Sequence, residues 1–169
     1  MKLKLLVFLF AAATLLYFLY VLPAKEGVRG GQKAPSFSLI NESGQLVTSS
    51  QMTGSVVLLN FWATWCPSCV REIPSLNQLS KLVNNPKFKV IGVSVDEEGW
   101  PAINRFRSRV PLEFDILLDQ NSTAADQFGT FQIPETFLID KYGTIVRKYE
   151  GPRDWADPSI VKTIQQLLQ

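Results

Sequence analysis

The chain has 169 residues, carries 17 Lys and Arg against 15 Asp and Glu, and contains no histidine. Its 46% apolar fraction is enough for one compact core with a short appendage. The small, scattered charge excludes a polyanion partner such as nucleic acid, and the lack of internal repeats or low-complexity tracts excludes solenoids and disordered arrays.

The N-terminus, MKLKLLVFLFAAATLLYFLYVL, has no charge from Leu5 to Leu22. As a helix that run spans roughly 27 Å, close to a hydrocarbon core of about 30 Å. It reads as an uncleaved signal-anchor over residues 1–22. The rival is a cleaved secretory signal with Lys2 and Lys4 as its basic region, although no A-x-A site follows. Positive charges nearly balance across the span, so orientation rests on how readily a very short terminus stays in the cytoplasm. The bulk of the chain is therefore expected on the extracytoplasmic, periplasmic side of the cytoplasmic membrane, where disulfides persist. Residues 23–33, PAKEGVRGGQK, read as a tether, and a folded domain is expected over residues 34–169.

Within that domain SVVLLN, bounded by Gly54, predicts a buried strand. From Pro67 the pattern changes to helical spacing, with Val70, Ile73, Leu76 and Leu79 on one side, and a helix is expected to about Asn84. Pro67 suits a first helical turn, and Pro74 falls inside the helix without ending its period. FKVIGVSVD predicts a second buried strand, 101–109 a helix, FDILLD a strand, and 122–128 a turn or two of helix. ETFLID and TIVRKYEG, joined by Lys141-Tyr142-Gly143, predict a hairpin, and 158–168 a closing helix. The fold class is α/β, with a mixed central sheet and helices on both sides.

Both cysteines lie in one stretch, NFWATWCPSC, and three readings compete for them. A structural staple across so short a loop contributes only about 2 kcal/mol. A closed metal site needs four ligands, and with no histidine and no second C-x-x-C none is expected. The third reading is redox chemistry. A helix that starts at Cys66 aims unpaired N–H groups and partial positive charge at its sulfur, which favours thiolate. Cys66 is then the nucleophile and Cys69, one turn on, the thiol that resolves the mixed disulfide. Glu72, three residues beyond Cys69, has the spacing for a proton relay, against the plainer reading of an acid complementing the helix dipole. Trp62 and Trp65 read as packing, with Trp65 shielding the nucleophile.

WATWCPSC after a strand, with QIPETFLID further on, resembles the thioredoxin superfamily, and NFWATWCPSCVREIPSL resembles its membrane-anchored branch typified by TlpA, ResA and CcmG (DsbE). That resemblance implies a thioredoxin-like three-layer α/β/α sandwich with an N-terminal extension at APSFSLINESGQLV and a central insertion. It implies a redox-active Cys66–Cys69 disulfide and no cofactor. It also implies a cis-proline at Pro134, a substrate segment pairing at Ile133 with Trp65 and Pro67 alongside, a proton-relay acid at Glu72, and local tuning by Glu135. Asn60 replaces the buried aspartate of cytosolic thioredoxins, which shifts proton transfer toward Glu72. The implied activity is reduction of extracytoplasmic protein disulfides, with apocytochrome c the favoured client and a transmembrane electron donor of the CcdA or DsbD kind as partner. A general envelope reductase, or a reductant of copper-site cysteines for oxidase assembly, is the alternative. A thiol peroxidase would need proline at Leu59 and threonine at Ala63, and a copper-binding module of Sco type would need C-x-x-x-C with a histidine.

Overall fold

The computed structural model describes residues 2–21 and 28–169. In chain order the elements are α1 (Lys2–Val21), β1 (Ser38–Asn41), β2 (Leu46–Thr48), β3 (Val56–Trp62), α2 (Pro67–Val83), β4 (Phe88–Ser94) and α3 (Trp100–Arg107). There follow β5 (Asp115–Leu118), α4 (Thr123–Phe128), β6 (Glu135–Ile139), β7 (Ile145–Glu150) and α5 (Pro158–Leu167). The α1 helix covers 20 residues. Among the described residues no helix is long and apolar enough to cross a membrane, and the span expected over residues 1–22 falls partly outside them, at Met1 and Leu22.

Among the described residues seven strands form one sheet in the order β2-β1-β5-β4-β3-β6-β7. It is mixed: β3, β4 and β5 run parallel to their neighbours in that group, while β6 lies antiparallel to β3 and β7 antiparallel to β6. Every residue of β3, VVLLNFW, is buried, because a central strand covered on both faces has no polar side. Its side chains alternate between two cores. Val56 and Leu58 pack with Leu76 and Leu79 of α2 and Ile160 and Ile164 of α5. Val57, Leu59 and Phe61 pack on the opposite face with Phe128 of α4 and Phe137 of β6. Helices therefore cover both faces, and full burial of leucines such as Leu76 and Leu79 stabilises the α2 contact by about 1.5–3 kcal/mol each.

Local chemistry sets the ends of the elements. Pro67 opens α2, Pro74 is carried inside it, and Asn84 closes it in a left-handed conformation. At the β6–β7 turn the Asp140 carboxylate accepts from the backbone N–H groups of Tyr142 and Thr144, at 2.9 and 2.8 Å. Asn77 of α2 brackets the loop before β5, donating to the Pro111 carbonyl and accepting from the Glu113 N–H, both at 2.9 Å.

The β1–β2 hairpin pairs antiparallel with β5 and extends the sheet. No apolar periodicity announces it, because its strands are short and Ile40 and Leu46 face solvent. Upstream, the Val28 N–H donates to the Phe128 carbonyl, and Lys33 bridges Thr144, so residues 28–33 already pack on the domain.

Gly92 on β4 passes under Trp62. A Cβ there would stand 2.6 Å from Phe114 Cε2 and 2.8 Å from Trp62 Nε1, closer than real contacts allow. Gly92→Ala is expected to destabilise the fold by about 1–3 kcal/mol through overpacking, read as a lowered urea midpoint. An unchanged midpoint would show that the two rings move aside without cost.

Candidate functional site

The carboxyl end of a central strand in an open α/β sheet is where such folds place their chemistry. Here β3 ends at Trp62, residues 63–66 turn, and α2 begins at Pro67. Cys66 is the residue that caps α2. Its sulfur accepts from the Cys69 N–H at 3.2 Å, and its carbonyl accepts the first helical bond, from Val70. That sulfur therefore sits at the positive end of the helix, against otherwise unpaired N–H groups.

Cys66 and Cys69 form a disulfide across a Cα–Cα separation of 5.3 Å. Cys66 is 5% exposed and Cys69 1%, so the first sulfur is the more accessible. Around Cys66 Sγ lie the Ser68 hydroxyl at 3.2 Å and the Ile133 carbonyl oxygen at 3.8 Å. The Ile133–Pro134 peptide bond is cis. Trp65 is 65% exposed beside the disulfide, and Phe131, two residues before Ile133, is 61% exposed. Pro67 occupies the first position of α2. The structure thus gathers Trp65, Cys66, Pro67, Cys69 and Ile133-Pro134 at one end of the sheet.

Glu72 lies one turn further along α2 and is 2% exposed. Its Oε1 accepts from Asn60 Nδ2 at 2.8 Å, and its Oε2 accepts from Trp155 Nε1 at 3.0 Å and from the Arg153 N–H at 3.2 Å. Asn60 also donates to the Thr136 hydroxyl at 2.8 Å, across the β3–β6 pair that sets these two residues opposite each other. Burial pushes the Glu72 pKa up, against the opposing effect of the bonds from Trp155, Asn60 and Arg153 and of the Arg153 charge. Glu135, adjacent to Pro134, is also buried and pairs with Lys148 at 2.9 Å. Among the described residues no group of three or more His, Cys, Asp or Glu could hold a metal ion.

Sequence reasoning singles out Glu72 and Asn60 but misses the partners that hold the carboxylate. Trp155 and Arg153 lie some eighty positions downstream, and no local pattern connects them to α2. It also misses a cleft of about 590 Å³ beside Trp65, lined among others by Thr64, Asp96, Arg105, Phe106 and Arg109. That cleft forms only when the turn after β3, the segment after β4 and α3 come together, and its polar residues are scattered in the chain.

An α/β sheet that carries a cystine at a strand-to-helix turn, opposite a cis-proline and above a buried acid, defines a thioredoxin-fold thiol-disulfide oxidoreductase. The chain belongs to the AhpC/TSA family, which it matches over residues 30–148. It is 32% identical over 153 residues to thiol-disulfide oxidoreductase ResA of Geobacillus thermodenitrificans, covering 89% of this chain and 86% of that one. A Chlorobium tepidum protein named as thiol:disulfide interchange protein DsbE superposes with a TM-score of 0.76 at 31% identity, over 85% of this chain and all 100% of that one. StoA of Bacillus subtilis shares the fold, with a TM-score of 0.64 at 20% identity over 80% of this chain and 98% of that one. The enzyme is thus a thiol-disulfide oxidoreductase of ResA and DsbE type.

The raised pKa of Glu72 has a stability consequence. The folded protein binds this proton more tightly than the unfolded chain does. The stabilisation it brings is complete below the ordinary value of 4.5 and is lost as pH rises from there through the folded-state pKa. The unfolding free energy of the wild type minus that of Glu72→Gln should therefore fall over that window and then level off. Urea titrations at several pH values would measure this, and a difference that stays flat across them contradicts it.

Proposed function

We propose that this oxidoreductase is a membrane-tethered, extracytoplasmic reductant of protein disulfides, with apocytochrome c before haem attachment as its favoured client. The observation that carries the reading is the Cys66–Cys69 pair at the start of α2, with the less buried Cys66 facing the Ile133 carbonyl. Support for the tether is the uncharged run from Leu5 to Leu22, most of which lies in α1. Electron supply falls to a transmembrane donor of the CcdA or DsbD kind, since an oxidising compartment offers no soluble pool that would reopen the cystine.

The chemistry balances over two attacks. In the reduced protein the Cys66 thiolate attacks one sulfur of the client disulfide, forming a mixed disulfide and releasing the first client thiolate. Cys69 then loses its proton and attacks Cys66 Sγ. The second client thiolate leaves, and the Cys66–Cys69 bond closes. Two electrons pass to the client, and the donor returns two to the cystine. Glu72 is the acceptor for the Cys69 proton: an acid whose pKa is raised by burial holds a proton nearer neutrality than an exposed carboxylate does. The backbone of Ile133, held by the cis bond to Pro134, offers a short edge to which an extended client segment can pair, and Trp65 and Pro67 flank it.

The alternative is a broader envelope reductase, or one serving copper-site cysteines of an oxidase. Clients captured by Cys69→Ser, which leaves the mixed disulfide on Cys66 unresolved, should carry paired cysteines of the haem-attachment kind. Recovery of copper-site proteins alone would move the assignment to the alternative, and absence of any Cys66-linked client would remove the reductase role. Glu72→Gln should slow exchange near neutral pH in a protein that remains folded. An unaltered profile of rate against pH would take Glu72 out of the mechanism.

A further inference from the structure

The turn that delivers Cys66 is gripped by a second buried carboxylate, one that the chemistry above leaves unused. Asp96 lies two residues past the end of β4 and is 1% exposed. It accepts from the Thr64 N–H at 3.0 and 3.2 Å, one distance to each carboxylate oxygen. It also accepts from the Thr64 hydroxyl at 2.6 Å and from the Ser94 hydroxyl at 2.7 Å. Thr64 stands two residues before Cys66, and the Cys66 N–H in turn donates to Ala63, so this grip lies inside the turn itself.

Its place in the sheet explains its use. Parallel pairing of β3 with β4 runs to Trp62 opposite Ser94, and the last backbone bond of the series is from the Val95 N–H to the Trp62 carbonyl. Beyond that point the two chains diverge, and the Thr64 N–H, at a part-buried position, takes a side-chain partner instead. The Asp96 carboxylate continues the ladder in place of a backbone carbonyl. A charge-assisted acceptor of this kind is the stronger sort of hydrogen bond and fixes geometry as well.

We propose that Asp96 is a positioning residue for the redox pair: by clamping Thr64 it holds the strand-to-helix turn so that Cys66 Sγ meets the Cys69 N–H at the head of α2 and faces the client. The proposal rests on Cys66 being the attacking sulfur. In the oxidised protein the cystine itself restrains residues 66–69. In the reduced protein that restraint is gone, and the clamp is what keeps the nucleophile in place.

The test is the rate at which the reduced full-length chain attacks an aromatic disulfide reagent, dithiobis-nitrobenzoate, alongside thermal unfolding of each variant. Asp96→Asn should slow the attack about tenfold, since small misplacements of a reacting group carry large kinetic penalties. Thr64→Val, which keeps only the backbone donor, should slow it about threefold, and Thr64→Ser, which keeps both donors, should restore most of that loss. A folded Asp96→Asn protein with a lower melting temperature and the wild-type rate would reduce Asp96 to scaffold and overturn the proposal. If Asp96→Asn does not fold, the Thr64 pair decides: a serine variant no faster than the valine variant overturns it. Undiminished attack by Cys66→Ser would overturn the nucleophile assignment and this proposal with it. Normal loss of attack in Cys66→Ser with no effect at Asp96 and Thr64 would sink the clamp alone.

Discussion

A carboxylate kept from water must be answered by donors, and the donors around Glu72 come from all over the molecule. Asn60 reaches it from β3, Trp155 and Arg153 reach it from the segment before α5, and Thr136 of β6 joins through Asn60. A single acidic side chain on α2 thereby fixes the helix against the central strand, the antiparallel half of the sheet and the C-terminal segment together. An unsatisfied buried carboxylate would be far more costly than the individual bonds are favourable, so this arrangement tolerates little slippage of α2. Since α2 begins at Cys66, the position of the redox pair follows from it.

The same logic shapes the turn before the helix. Backbone pairing carries β3 and β4 only to Trp62 and Val95, and the polar groups beyond need side-chain partners. The sulfurs sit where regular structure has just ended and the next element has just begun, a location that exposes backbone dipoles without exposing much surface. Trp62 fills the space below, packed on Phe106 of α3 with ring centroids 5.6 Å apart.

Much of this was legible in the chain. The β3 run, the apolar spacing of α2, the β6–β7 turn and the amphipathic α5 each have a period that one stretch of sequence can state alone. The cysteine pair with its flanking prolines is equally local, and so is the acid one turn beyond. Two kinds of feature were not. The β1–β2 hairpin is too short and too exposed to show a period of its own, and only the family resemblance at APSFSLINESGQLV marks its place. The partners of buried polar groups were invisible for a different reason. Trp155 on Glu72 and Asp96 on Thr64 are pairings across long sequence separations, decided by the register of the sheet and the docking of helices.

Trp155 adds a further property to the molecule. Its indole N–H is bonded directly to Glu72 Oε2, and the ring is stacked edge-on against Tyr149 at 5.3 Å. Gain or loss of charge on that oxygen changes the electric field along the indole, so the emission colour of one buried fluorophore follows the proton inventory of the acid. Trp155 is one of four tryptophans, so the part of the emission that Trp155→Phe removes is an optical gauge of this acid that needs no added label.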